Sequence, residues 1–406
     1  MSKLPFIQTM IYGFCTTILA LCFIIFPKYA FEASVNGMTV WWEVVFPSLL
    51  PFFILSEFLI RFGAVSFAGT LLEPLMRPLF KVPGSGGVVW AMGLASGFPA
   101  GAKLTTRLWQ EGHLTNIEGE RLVSFTNASN PLFIFGAVAV GFFANPELGL
   151  LLAVSHYAGN LGVGIIMRFH GYKTDKTHRR HSEAFSLKKA IKNMHKDRLK
   201  NQIPLGKMMG EAINSSIQTL LMIGGFMIFF AVLNQMLEII NVSMIISMII
   251  SIILGWFQIP KELSPGIIAG LFEITIGSQR ISSVQDASLL QQAVVVSFIL
   301  AFNGFSVQAQ VASIIAETDI RFTPFFIARC IHGTLSAIFA YFLFHYLYTN
   351  RSIPSSDFGP SLPTFFESVS SFFLETYEII NLYGSTFTLL CLLIWFWILF
   401  LTAQER

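Results

Sequence analysis

Charge is what this chain has least of. Only 12% of its 406 residues are Asp, Glu, Lys or Arg, while 54% are hydrophobic, with Phe alone occurring 42 times. Soluble domains carry about 25% charged residues, so a soluble globular protein is excluded and a polytopic membrane protein is left. The net charge of +3 is too small for a nucleic-acid footprint, and no nucleic-acid partner is expected. Cysteine is equally sparse: Cys15, Cys22, Cys330 and Cys391 lie inside apolar runs without metal-ligand spacing. Such thiols act as small hydrophobes, and neither a disulfide framework, a metal site nor another cofactor is expected. The HExxH zinc pattern is missing and Asp is scarce within the apolar runs, which removes the groups of an intramembrane protease, so an enzyme is not expected.

Long apolar runs are what the chain does have. The first, Phe6–Phe26, has the roughly twenty apolar residues that cross a bilayer, and Pro27-Lys28 offers no small-residue cleavage site. It reads as a retained helix. A wet stretch, Lys28–Thr39, precedes a span at Val40–Ile60, with Trp41 and Trp42 suited to the headgroup level and Pro47 and Pro51 as kinks. Ala64–Val82 spaces Glu73, Arg77 and Lys81 among apolar residues in the manner of a helix lying on the membrane. The run Val88–Leu108 is interrupted by GLASGFPAGAK (Gly93–Lys103). Each half is too short to span, which predicts a re-entrant hairpin with its tip at Gly97–Gly101. Arg121–Phe143 is opened in its middle by Asn127, Asn130 and Pro131, and Leu148–Met167 closes this half. The following loop carries Lys173, Lys176, Arg179, Arg180 and Lys188 through Lys207 against few acids. The positive-inside rule makes it cytoplasmic, and its charge also suits anionic lipid.

The second half repeats these features in order. Ser215–Leu237 answers Val40–Ile60, Ile239–Trp256 answers Ala64–Val82, and Ile267–Ile281 answers the hairpin. Ser297–Val311 aligns without a gap to Ser124–Val138, setting Asn303 on Asn130, and Phe326–Leu335 answers Leu151–Leu161, setting His332 on His156. Counting spans from a cytoplasmic start gives the two halves opposite orientations, the arrangement of secondary transporters whose sites form at the repeat interface. The expected fold is therefore an all-α polytopic membrane protein of inverted repeats, each with an interfacial helix, a re-entrant hairpin and a discontinuous transmembrane helix. Its divisions are 1–39 (first helix and loop), 40–168 (first repeat), 169–209 (basic loop), 210–349 (second repeat) and 350–406 (an acidic external segment and last span, Thr386–Leu401). Ile239–Trp256 reads as the second interfacial helix, but it is apolar enough to span instead and so reverse everything after it.

Helix breaks at membrane depth survive where they are packed in protein or line a wet cavity. Gly97 and Phe98 at the first tip, with Ser96 as a hydroxyl donor, present a helix start that favours an anion. Asn127, Asn130 and Asn303 either rejoin freed backbone or contact cargo. Gln308 and Gln310 lie two apart, so one cavity takes one of them, and Gln308 is preferred. Glu273 is a carboxylate in an apolar hairpin, where a charge is costly unless it has a role. It pairs with Arg329, carries a proton or holds a coupling cation, and pairing is the first expectation. Arg329 lies mid-span and needs an anion, Glu273 or cargo, and Arg280 follows the second hairpin as a further candidate.

The stretches GLASGFPAGAK, SFTNASNPLFIFGAV and GLFEITIGSQ, in this twice-given order, resemble the nucleoside-recognition or Gate-domain family, and through it the concentrative nucleoside transporters. The resemblance implies a transporter-type fold with hairpin tips meeting near the membrane centre, and leaves a homo-oligomer open. The first tip reads Ser96-Gly97-Phe98-Pro99-Ala100 where concentrative nucleoside transporters carry a Gln-Thr-Glu type sequence, which argues against a nucleoside cargo. Over nearly its whole length the chain also looks like a family of Firmicute sporulation membrane proteins. That likeness implies transport of the small anion dipicolinate from the mother cell across the outer forespore membrane. The alternatives are a nucleoside-type transporter and a non-transporting membrane scaffold of sporulation.

Overall fold

The computed structural model describes residues 3–172, 186–200 and 204–349, so the expected acidic segment and last span lie outside the described residues. Every regular element among the described residues is a helix. Four are long and apolar enough to cross a membrane alone: Leu148–Met167, Leu205–Ile239, Leu289–Ile315 and Phe322–Thr349. Two bent pairs, Thr9–Ile25 with Pro27–Glu43 and Leu49–Leu59 with Ala64–Phe80, turn by 100° and 81° and can supply two more spans. The chain is an all-α polytopic membrane protein.

Helix α1 (Lys3–Ile25) turns sharply into α2 (Pro27–Val40), whose first residue is a proline, well placed where no intrahelical donor is needed. The stretch expected to be wet is thus helical. It continues through a π-turn, Trp41–Val45, into α3 (Phe46–Arg61). Pro47 has no N–H for the Glu43 carbonyl, which accounts for the widened turn at that point. The resulting rod matches the 35-residue α10 (Leu205–Ile239) in length, and the two pack antiparallel. Gly37 lies against Ile228, Trp41 Nε1 donates to Leu220 O at 2.9 Å, Glu57 accepts from Ser215 at 3.2 Å, and Arg61 meets Glu211 at 2.8 Å. Trp41 is accordingly no headgroup anchor: its ring fills the space over Gly224, while Trp42 is exposed.

The last helices of the two halves, α8 (Leu148–Met167) and α16 (Phe322–Phe344), also pack antiparallel. Asn145, ahead of α8, donates to Tyr348 beyond α16 at 2.7 Å, and His332 bonds His156 O at 2.8 Å. Counterpart helices paired head to tail are what inverted repeats require.

After α3 the chain bends at Gly63, whose positive φ of 76° ends one helix and admits the next, α4 (Ala64–Phe80). Glu73 and Arg77 of α4, expected on a wet face, turn inward. Arg77 bonds Glu73 and Glu118 at 2.7 Å each, and Glu73 accepts from Gly84 N at 2.5 Å. The two carboxylates offset the cost of taking the guanidinium out of water. The basic helix α9 (Leu187–Lys200) lies along α4, with Ala190 buried and Asn193 donating to Thr70 at 3.1 Å. The counterpart of α4 is α11 (Val242–Trp256). At 1.5 Å per residue it is about 22 Å long, short of the roughly 30 Å hydrocarbon core, and it exposes Met244, Ile245, Met248, Ile249, Ile252 and Ile253.

Candidate functional site

Two hairpins and two broken helices meet inside this frame. The first hairpin pairs α5 (Ser85–Ser96) with α6 (Ala100–Gln110) around Gly97, Phe98 and Pro99. The second pairs α12 (Ser264–Phe272) with α13 (Ile274–Ser282) around Glu273. Glycine makes both possible: a Cβ on Gly277 would lie 2.1 Å from the Gly270 Cα, and one on Gly93 or Gly101 would lie 2.1–2.2 Å from Thr126 O. The first broken helix is α7 (Asn116–Thr126), a non-helical Asn127–Asn130, and the wide helix Leu132–Phe142. The second is α14 (Leu289–Phe302) and α15 (Gly304–Ile315), separated by Asn303 in the left-handed region at φ 75°. Asparagine tolerates that conformation better than other residues with a side chain. The two breaks touch: with its amide oriented to satisfy both atoms, Asn303 donates to Leu300 O at 2.9 Å and accepts from Asn127 Nδ2 at 3.2 Å.

Between the hairpin tips and the breaks lies a central cavity of about 370 Å³. The first half contributes Ser96, Gly97, Phe98, Asn130 and Phe133; the second contributes Glu273, Thr275, Ser306 and Gln310; Leu49, Ile223 and Met227 close it on the side of the long helices. Its walls are mostly apolar. The hydroxyls of Ser96 and Ser306 are buried with no hydrogen-bond partner among the described residues. Asn130 ties tip to break, donating to Ser96 O at 3.0 Å and accepting from Phe133 N at 2.7 Å. Glu273 caps α13: one carboxylate oxygen accepts from Thr275 N at 2.8 Å, Ile276 N at 3.0 Å and the Thr275 hydroxyl. No Lys, Arg or His is among the described lining residues.

Of the residues singled out from sequence, Ser96, Gly97, Phe98, Asn130 and Glu273 thus line one cavity. Five others do not. Asn127 and Asn303 are wholly buried where the breaks touch. Gln308 points away and donates to Phe302 O at 3.0 Å, satisfying a carbonyl freed by the break, and Gln310 faces the cavity in its place. Arg280 pairs with Glu238 on the rim of a different cavity. Arg329 does not reach Glu273: it is wholly buried, donating to Asn127 O at 2.9 Å and to Ser124 O, and lying 3.0 Å from His332 Nδ1. These are carbonyls at the end of α7, where orphan acceptors and the negative end of the helix dipole both draw a cation. The expected Glu273–Arg329 pair is replaced by two separate helix caps. The histidines expected at matched positions do meet, with ring centroids 4.7 Å apart, and His156 accepts from Ser129 N at 3.0 Å. Phe133, Thr275, Ile223 and Met227 went unnoticed in the sequence; only Thr275, two residues past a capping carboxylate, carried a local signal.

Two halves, each with a re-entrant hairpin and a broken helix around a shared central cavity, define an all-α multi-pass membrane protein. The family description "Nucleoside recognition" (Gate) matches residues 42–146, which include the first hairpin and the first break. Over 369 residues, 90% of each chain, the sequence is 53% identical to the sporulation integral membrane protein YlbJ of Bacillus subtilis (strain 168), and the chain belongs to that family. It is also 33% identical over 120 residues to the uncharacterized protein BpOF4_10220 of Alkalihalophilus pseudofirmus, covering 29% of this chain and 25% of the other. No solved structure matches the chain.

Proposed function

We propose that the protein is a carrier, not an enzyme, that moves a small carboxylate anion through the central cavity, and that the anion is dipicolinate leaving the mother cell across the outer forespore membrane. The observation that carries this reading is the cavity itself, enclosed by both hairpin tips and both broken helices, the place where inverted-repeat transporters hold their cargo. Its volume falls within the roughly 300–1,000 Å³ of small-molecule sites. Phe98 and Phe133, 6.5 Å apart and edge to face, offer rings to a planar aromatic acid. The starts of α6 and α15, with the free hydroxyls of Ser96 and Ser306, offer donors to its carboxylates. Glu273 opposes a dianion, so the cargo is held with a proton between the two carboxylates.

A nucleoside-type cargo is the second reading. The combination of amides, hydroxyls and one carboxylate without a cation suits a neutral, hydrogen-bonding ring, and the matched family description points the same way. Uptake into proteoliposomes containing the purified chain separates them. Saturable entry of labelled dipicolinate, unaffected by excess uridine, supports the first reading. Entry of uridine replaces it with the second, and entry of neither overturns the carrier reading in favour of a membrane scaffold.

A further inference from the structure

A second cavity, of about 500 Å³, lies at the end of α10 remote from the basic loop. It follows the central cavity along the same two elements. Asn234 in its wall stands seven residues beyond Met227 on α10, about 10 Å further along, and Ala269 stands one turn before Glu273. In the first half the chain ahead of α5 packs closely on α4: Gly84 N is bonded to Glu73, and a Cβ on Gly84 would lie 1.8 Å from Gly69 O.

What lines this cavity differs from what lines the first. Ser243 and Ser247 face it from α11, and Asn234, only 4% exposed, faces it with no hydrogen bond to any described residue. Lys261 and Arg280 bring two cations, against Glu238 and Glu262. Lys261 makes no ion pair among the described residues. Arg280 grips Glu238 with both terminal nitrogens, at 2.7 and 3.2 Å, the two-pronged geometry by which guanidinium holds any carboxylate. The pair is 37% and 44% exposed in its side chains, so a carboxylate from solution can replace Glu238 on Arg280 while Glu238 returns to water.

We propose that this second cavity is an anteroom that binds the carboxylate groups of the cargo, with Arg280 and Lys261 supplying the charge recognition for which the central cavity has no cation. The inference rests on the carrier reading. The cavity then lies on the exit side of the central one, remote from the basic loop, and the amide of Asn234 receives the cargo along α10 from Met227.

The test is the dependence of dipicolinate uptake on its concentration, with equilibrium binding of dipicolinate to the detergent-solubilised chain measured alongside. Arg280→Gln combined with Lys261→Gln should raise the half-saturation concentration about tenfold, the loss of one or two charge-assisted bonds, with the maximal rate retained. Glu238→Gln also breaks the ion pair but frees Arg280, and should lower the half-saturation concentration. A merely structural pair would move both variants in the same direction. That outcome, or no change in either variant of a protein that does transport dipicolinate, overturns the anteroom and leaves the carrier standing. A wild-type protein that neither binds nor moves dipicolinate overturns both.

Discussion

Removing Arg329 tests the reading of that residue as a helix cap and not as a cargo ligand. In Arg329→Met the flexible apolar side chain keeps much of the volume, but Asn127 O and Ser124 O lose their donor. A buried polar group left unpaired costs about 1–3 kcal/mol, and relief from burying a cation that has no carboxylate partner among the described residues returns part of the total for two carbonyls, leaving a net cost of ~3 kcal/mol. At about 1.4 kcal/mol per tenfold, the open state of the break becomes roughly a hundredfold more populated. Amide hydrogen exchange over residues 124–130 should accelerate by that factor, while exchange along α10, which makes none of these bonds, stays as it was. In the transport assay the protein that remains folded should keep its half-saturation concentration. Unchanged exchange at the break together with a tenfold weaker half-saturation would refute the reasoning and return Arg329 to the cargo.

Gly277→Val should abolish recovery of monodisperse protein on size-exclusion chromatography, because the new side chain would occupy the Gly270 backbone; normal recovery would show that the hairpin arms can separate. Lys103→Met leaves buried Glu57 without the ammonium 3.7 Å away and should cost about 3–5 kcal/mol in denaturant stability, with Glu57→Gln added to it restoring most of the loss; additive costs would mean the two are uncoupled. Gln310→Ala should raise the half-saturation concentration for cargo at unchanged stability, whereas Gln308→Ala should lower stability by about 1 kcal/mol and leave half-saturation alone. Reversed effects would put Gln308 in the cavity.

Where the chain breaks was legible in its sequence; what each side chain does at a break was not. Gly97 and Pro99 cannot continue a helix, and Asn127, Asn130 and Asn303 disfavour one, so the hairpins and discontinuous spans could be placed to within a few residues. The same Asn, Gln and Arg side chains can serve cargo or the backbone carbonyls that the break orphans, and composition does not separate the two roles. Arg329 was read as seeking a carboxylate and found the end of α7. Gln308 lost its place to Gln310 because the carbonyl of Phe302, freed by the break at Asn303, takes its amide. Trp41 and Glu73 misled for a related reason. Amphipathic side chains suit an interface, yet Trp41 found Leu220, 179 residues on, and Glu73 turned inward to Gly84 N beside its local partner Arg77.

The cap on the first break has a consequence for biosynthesis. Arg329 follows the carbonyl of Asn127 by 202 residues. At roughly 5–20 residues per second, the ribosome needs about 10–40 s after making the break to deliver the group that closes it. During that interval the nascent first half sits in the bilayer with orphan carbonyls that only water, lipid headgroups or an insertion chaperone can satisfy. A transcript ending before α16 should accordingly yield a product cleared by membrane proteases, and co-expression of residues 316–349 as a separate helix should rescue it.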